Sequence, residues 1–400
     1  MTIDSTQETS EIKRPGNFPG LLSLEKTQPH SWVELDRAAF MHNVTELARI
    51  VDSHTSLAAV VKSNAYGHGM IEIARLAQEH SSIDWLCTAG TSEALLLRER
   101  GITKKIIAMS FVDTDYDSPL IHNIHLAIYE RSQLIDIQQA AYRTGRRAYV
   151  HLKVDTGMSR LGFLPEDVLN VIAEIGNYPG IYVCGIFTHL ANPLSSEFSQ
   201  KQNEQFEYVL DNLIKKNISL EYIHAFSSSG LLCLGKNKRH SLVRPGAGLF
   251  GLWKSEPFYQ RVREQHPDIM LKSVLTWKTR IIHIKTVSAG SYVGYNGTFR
   301  TARETILAVL PVGYCDGYRR SFTNTGVVEV RGRRASVVGV VSMNMTTLDV
   351  TDIPGVVVGD QVTLIGNQKG VLAHECAERA GVITNELVVG IAPALVRYIV

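Results

Sequence analysis

Short apolar runs alternate with amphipathic helical patterns over residues 31–250, and this alternation constrains the fold more than any other feature of the chain. The apolar runs are Leu57–Val61, Trp85–Thr88, Ile106–Met109, His125–Ile128, Tyr149–Val154, Tyr182–Thr188, Tyr222–Phe226 and Leu242–Arg244. Between them, stretches such as Met70–Glu79, Thr91–Arg100, Ser132–Tyr142, Pro165–Ile175 and Ser199–Lys215 space their apolar residues at helical intervals. Strands and helices taking turns in this way predict an α/β fold, a (β/α)8 barrel of the TIM type. A doubly wound parallel sheet satisfies the same pattern.

The pattern changes after a linker at 253–269 that mixes Pro257 and Pro267 with charged residues. Beyond it come β-branched runs without long helices: Val274–Thr286, Thr305–Leu310, Val327–Val330, Ala335–Val341, Thr346–Val350 and Gln361–Ile365. The expected organisation is a poorly ordered extension over residues 1–28, a barrel over 29–265 and a mainly β domain over 266–400, with a helical segment near Leu372–Arg379.

Charge and cysteine usage narrow the class of partner. Lys plus Arg number 41 and Asp plus Glu 39, a net charge of +2, which suits small-molecule substrates and gives no basic surface for nucleic acid. Cys87, Cys184, Cys233, Cys315 and Cys376 stand singly, with no Cys-x-x-Cys spacing for a metal or redox pair, so a reducing, cytoplasmic setting and no metal are expected. No stretch approaches the roughly 18 consecutive apolar residues of a membrane span, nor is there a secretory leader near the start.

The segment Ala58-Ala59-Val60-Val61-Lys62-Ser63-Asn64-Ala65-Tyr66-Gly67-His68-Gly69 runs an apolar strand directly into a lysine, then through a glycine-rich turn into a helix. At the C-terminal end of the first barrel strand, Lys62 points into the mouth where barrel enzymes place catalytic groups. A lysine buried there loses its proton readily and forms Schiff bases, although a surface lysine after a strand is the plainer reading of this residue alone. The run Ser227-Ser228-Ser229-Gly230 opens a short helix and offers hydroxyls and N–H groups to an anion, or serves as an ordinary N-cap.

Six separated motifs, in order, resemble the alanine racemase family from about Trp32 onward. Ala59-Val60-Val61-Lys62-Ser63-Asn64-Ala65-Tyr66-Gly67-His68-Gly69 is followed by His151-Leu152-Lys153-Val154-Asp155-Thr156-Gly157-Met158-Ser159-Arg160-Leu161-Gly162, by Thr188-His189-Leu190-Ala191-Asn192 and by Arg244-Pro245-Gly246. The second domain adds Tyr295 within Gly-Tyr-Asn-Gly and Gly313-Tyr314-Cys315-Asp316-Gly317. The resemblance implies pyridoxal 5'-phosphate on Lys62, with Tyr66, Ser228 and the backbone of Gly246 on its phosphate. It implies that Arg244 faces the pyridine nitrogen; a guanidinium keeps its proton, so the cofactor is a weaker electron sink than beside a carboxylate.

It further implies a homodimer with shared sites that interconverts the enantiomers of alanine, supplying D-alanine for peptidoglycan. Lys62 is then the base on the D side of the substrate and Tyr295, from the other subunit, the base on the L side. A phenol with an ordinary pKa near 10 needs help at neutral pH, which His189, hydrogen-bonded toward Arg244, supplies in the family. Arg160 would contact cofactor and substrate carboxylate, oriented by carbamylated Lys153. Met343 would bind the carboxylate through its backbone, and Tyr314 and Asn344 would stand beside the substrate.

Two positions depart from the family pattern. Asn344 follows Met343 where the family commonly has aspartate, and Thr384-Asn385-Glu386 stands where the family has Asn-Tyr-Glu. A smaller, polar Asn385 enlarges the pocket and offers hydrogen bonds to a hydroxyl, so serine or a broader set of amino acids becomes an alternative substrate. Two rival classes, a pyridoxal-phosphate decarboxylase and a non-catalytic cofactor-binding barrel, fit less well. The first lacks its Gly-Gly-Gly turn and Cys-Glu-Ser motif here; the second has no domain like 270–400.

Overall fold

The structure, a computed structural model, describes residues 29–192 and 196–400, so the extension expected over residues 1–28 lies outside the described residues. The chain enters through β1 (Ser31–Leu35), which the sequence reading had assigned to the barrel stretch. It pairs instead with two strands of the second domain. Val33 and Leu35 share one face by the two-residue period of a strand, and both are fully buried.

Eight parallel strands then follow, each but the last separated from the next by helix: β2 (Ser56–Val60), β3 (Ile83–Gly90), β4 (Lys105–Phe111), β5 (Ile124–Ile128), β6 (Ala148–Lys153), β7 (Ile181–Phe187), β8 (Tyr222–His224) and β9 (Leu242–Val243). They lie side by side in chain order from β2 to β8, with β9 on the far side of β2. The ring closes at its mouth, where Ser227 bridges Arg244 and the Arg244 N–H donates to the Phe226 carbonyl at 2.9 Å. This is the expected barrel, and the alternative of an open doubly wound sheet falls away.

Side chains alternate across the barrel wall. Ala58, Val60, Trp85, Cys87, Ile107 and Leu242 pack together inside, while Leu57, Ala59 and Val61 face the helical layer. Two-sided burial explains why these strands read as unbroken apolar runs in the sequence.

The second domain contributes β10 (Leu275–Arg280), β11 (His283–Val287), the hairpin β12 (Tyr292–Val293) and β13 (Phe299–Arg300), and then β14 (Thr305–Leu310), β15 (Val327–Val330), β16 (Arg333–Val337), β17 (Thr346–Asp349), β18 (Gln361–Ile365) and β19 (Val396–Ile399). With β1 they form one nine-stranded sheet, ordered β11-β14-β17-β16-β15-β18-β10-β1-β19, beside the small hairpin. The run expected as one strand over Val274–Thr286 breaks at Ile281–Ile282, where the chain leaves β10 for β11. Two short helices follow β18, Ala373–Ala380 and Thr384–Val389. The second carries Asn385 back to the barrel mouth. Among the described residues no helix is long and apolar enough to cross a membrane.

Candidate active site

Lys62 follows β2 at the mouth of the barrel, and the four residues after it are wound left-handed. Ser63, Asn64, Ala65 and Tyr66 have φ of 53°, 54°, 51° and 55°. The sequence reading placed the special geometry at the glycines; it begins before them. Left-handed backbone costs about 1–2 kcal/mol per residue with a side chain, so four in a row persist only if held. Ser63 N–H donates to Glu93 at 2.7 Å, Asn64 accepts from the Met70 N–H at 2.9 Å, and Arg397 donates twice to the Gly67 carbonyl, at 2.8 and 3.1 Å. At Gly67, with φ of 81°, a Cβ would lie 1.9 Å from the Val388 carbonyl oxygen. That contact brings the Asn385 helix against the lysine turn.

The mouth holds a cavity of about 280 Å³. Lys62, Tyr66, Lys153, Arg160, His189, Ser228, Arg244, Gly246 and Asn385 all line it. Nine residues that the sequence scatters over more than 320 positions thus meet in one place, eight because consecutive strand ends of a parallel barrel share one rim and Asn385 because the helix Thr384–Val389 packs on that rim. Tyr295, Tyr314, Met343 and Asn344 do not line it. The first three are exposed on the second domain, at 69%, 43% and 55%. The Met343 carbonyl accepts from Cys315 N–H at 3.0 Å, and the Asn344 amide reaches Cys315 Sγ at 3.0 Å, so Tyr314, Met343 and Asn344 form one surface patch.

One end of the cavity is built from small residues and hydroxyls. Ser228 Oγ accepts from the N–H groups of Gly246 and Gly248 at 2.9 and 3.0 Å. A Cβ on Gly246 would fall 2.5 Å from the Tyr66 hydroxyl, and one on Gly248 would lie 3.1 Å from Ser228 Oγ. Two glycines, a serine and a buried phenol therefore leave a cradle that any larger residue would fill. Burial pushes the Tyr66 phenol up to about 12, so it stays a hydrogen-bond donor.

The remainder of the cavity is cationic. Burial, and then the Arg160 guanidinium, lower the Lys62 ammonium pKa. Lys153 is brought down to about 8 by burial and then by Arg160, Arg244 and Lys62. Such mutual repulsion is relieved by anions, and a phosphorylated cofactor with a carboxylate substrate supplies two. Arg160 is set in place by its own loop: Asp155 accepts from the N–H groups of Gly157, Ser159 and Arg160, each at 3.0 Å. Burial raises the Asp155 pKa, but these three bonds outweigh it and the net shift is downward.

Arg244 is buried, and burial draws its pKa down to about 10, so it remains a cation at neutral pH. Its guanidinium donates to His224 Nδ1 and, at 2.7 Å, to the Thr188 carbonyl, with Phe187 5.3 Å away. The expected His189–Arg244 hydrogen bond is not formed among the described residues; His224 takes that place because β8 sets its ring against the end of β9. His189 instead stays neutral, lowered to about 3 by burial and then by Arg244 and Arg160. His224, Phe187 and Arg397 were missed in the sequence, and Thr188 stood there only as the first residue of a motif, with no role of its own. Only His224 left a signal there, as a polar residue inside an apolar strand.

Comparison with known proteins bears on this geometry directly. The pattern described as "Alanine racemase, N-terminal domain" matches residues 35–254, and "Alanine racemase, C-terminal domain" matches residues 274–399. The chain belongs to the alanine racemase family. An alanine racemase of Symbiobacterium thermophilum is 36% identical over 382 residues, covering 94% of this chain and 98% of that one. One from Halothermothrix orenii is 34% identical over 376 residues, 93% and 97% of the two chains. The solved alanine racemase of Clostridium difficile 630 superposes with a TM-score of 0.87 at 27% identity, over 94% of this chain and 97% of that one. As a racemase of this family the chain is an isomerase dependent on pyridoxal phosphate, and the Ser228 cradle and cationic cavity fit that group.

Proposed function

We propose that the chain interconverts L- and D-alanine with one base from each of two subunits, Lys62 and Tyr295 of the partner subunit. The observation that carries this is the division of the candidate residues. Lys62 lies in the cavity, while Tyr295 sits 69% exposed between β12 and β13, outside it. The cavity's own phenol, Tyr66, is engaged in the phosphate cradle and held protonated by burial. Tyr295, Tyr314, Met343 and Met345 are large apolar side chains left exposed on the second domain, of the kind that a partner covers.

Pyridoxal phosphate, when bound, supplies the electron sink that makes the α-proton of an amino acid acidic. Tyr66, Ser228 and the Gly246 backbone would hold its phosphate, and Arg244, which keeps its proton, would face the pyridine nitrogen. Arg160 binds the substrate carboxylate. The Lys62 amine, eased toward its neutral form by burial and Arg160, exchanges the α-proton on the D face. Tyr295 exchanges it on the L face, beside the substrate-facing Tyr314, Met343 and Asn344. Lys153, with its pKa near 8, has enough neutral amine to take up carbon dioxide with loss of a proton. The resulting carbamate would anchor Arg160. D-alanine for peptidoglycan, made in the cytoplasm, is the role we infer.

A broader substrate range is supported by Asn385, which lines the cavity where the family has tyrosine. The two-base reading is tested by deuterium wash-in. Tyr295→Phe should slow α-proton exchange from the L-enantiomer far more than from the D-enantiomer, whereas equal slowing points to one swinging base. Mixed Lys62→Ala and Tyr295→Phe chains should regain activity, since each hybrid dimer keeps one intact site. No recovery despite subunit exchange would place the whole site within one chain.

A further inference from the structure

The barrel interior beneath Arg244 is crossed by three histidines in hydrogen-bonding series. Arg244 donates to His224 Nδ1; His224 Nε2 lies 3.0 Å from His151 Nδ1; His151 Nε2 lies 3.2 Å from His125 Nδ1. His125 is the second residue of β5 and Arg244 the first after β9, so in this parallel barrel the series runs from the mouth toward the opposite end. There His125 stacks on Tyr149 and meets the edge of Trp85, whose face carries the Lys105 ammonium.

The direction of the series follows from chemistry alone. Arginine has donors and no acceptor. His224 Nδ1 must therefore offer a lone pair, which leaves the hydrogen of a neutral imidazole on Nε2. That hydrogen points at His151 Nδ1, so His151 also carries its hydrogen on Nε2 and donates to His125 Nδ1. All three rings become the Nε2–H form, and a second proton on His224 or His151 would face a donor. Geometry and burial agree: His151 and His224 are fully buried, and both are pushed far below the ordinary histidine pKa by burial. At the far end burial, Lys105 and Arg98 lower His125 to about 3.

We propose that His125, at the floor of the barrel, is a positioning residue for Arg244, acting through a one-way series of neutral imidazoles whose polarity the arginine sets. The same geometry weighs against a metal at the floor. His125 Nδ1, His151 Nε2 and Cys184 Sγ lie within 4.8 Å of one another, a spacing that a divalent cation also fits. Ligation would need a lone pair on His151 Nε2, where the series places a hydrogen; Cys184 Sγ donates to the Val150 carbonyl at 3.3 Å and also lies 3.3 Å from His125 Nδ1, the acceptor that the series gives to His151.

The proposal rests on Arg244 facing the cofactor, and nitrogen NMR of histidine-labelled holoenzyme separates the two ideas. In the wild type, His125, His151 and His224 should each show the Nε2–H pattern. His125→Leu removes the acceptor of the last bond, and should shift the His151 Nε2–H signal while His224, fixed by Arg244, keeps its Nε2–H form, and should lower kcat about tenfold with KM little changed, the size expected for one buried bond left unmade. His125→Gln, whose carbonyl accepts from His151, should restore the His151 Nε2–H signal and most of kcat. A His151 hydrogen on Nδ1, a Leu variant with unmoved His151 signals, or a Gln variant no better than Leu overturns the series. Stoichiometric zinc that shifts both His125 and His151 in holoenzyme overturns it in favour of a metal site. If the tautomers are as expected but Arg244→Lys leaves the cofactor absorption unchanged, the assignment of Arg244 to the cofactor fails and His125 has nothing to position.

Discussion

A single methyl group placed on Gly246 should weaken cofactor binding through Tyr66. The added Cβ would sit 2.5 Å from the Tyr66 hydroxyl and 2.9 Å from the ring carbon bearing it, about an ångström inside ordinary contact. The pocket backbone is tied down, with Gly246 N–H bonded to Ser228 and Leu249 N–H to the Gly246 carbonyl. Tyr66 must yield, and its hydroxyl leaves the phosphate. A hydrogen bond to a charged group contributes about 1.5–3 kcal/mol. Gly246→Ala should therefore raise the Kd for pyridoxal phosphate by roughly 10- to 150-fold at about 1.4 kcal/mol per decade. The assay is titration of cofactor-free protein, followed by the absorbance of bound cofactor. A double-mutant cycle isolates the cause: in a Tyr66→Ala background the methyl has nothing to strike and should cost little more. Equal losses in both backgrounds, or an unchanged Kd in the first, would refute the idea that Gly246 is required for the sake of the phenol.

Borohydride reduction and peptide mapping should find the cofactor on Lys62, and a label on another lysine would overturn that assignment. Asn385→Tyr should shift the alanine-to-serine ratio of kcat/KM toward alanine by about ten- to a hundredfold, the range one pocket wall commands at about 1–3 kcal/mol; an unmoved ratio would exclude Asn385 as the gate. Carbamylation of Lys153 should grow with pH, because its ammonium is the dominant form below about 8 and the reactive amine above it. A carbon-13 carbamate signal from labelled bicarbonate should strengthen from pH 7 to 9 and vanish in Lys153→Ala, and a signal that falls over that range contradicts the lowered pKa. Arg397→Met should destabilise the Lys62 turn, seen as weaker cofactor binding with little loss of the barrel's helical circular dichroism.

The sequence made the barrel legible because two-sided burial writes each strand as an apolar run, and it placed Lys62, His189 and Arg244 at strand ends where function collects. It hid β1, since Ser31–Leu35 reads like any other edge of the alternating region while its partners lie some 245 and 365 residues away. The left-handed turn was equally hidden: Ser63, Asn64, Ala65 and Tyr66 carry no glycine, and the bonds that hold them come from Glu93, Met70 and Arg397. His189 was assigned to Arg244 by family likeness, whereas the side-chain direction of β8 gave the contact to His224. Long-range contacts of this kind leave no local pattern to read.

Arg397 lies 335 residues after Lys62, and this separation sets an order of events during synthesis. At about 5–20 residues per second the ribosome needs roughly 20–70 s to pass from one to the other. Through that interval the barrel strands can pair, but the turn after Lys62 lacks the guanidinium that holds the Gly67 carbonyl, and β1 lacks β19 throughout and β10 until residue 280 has been made. A nascent chain stalled before β10 would therefore carry a reactive lysine on an unshaped loop. The lysine gains its cofactor geometry only once β19 has been made and laid beside β1.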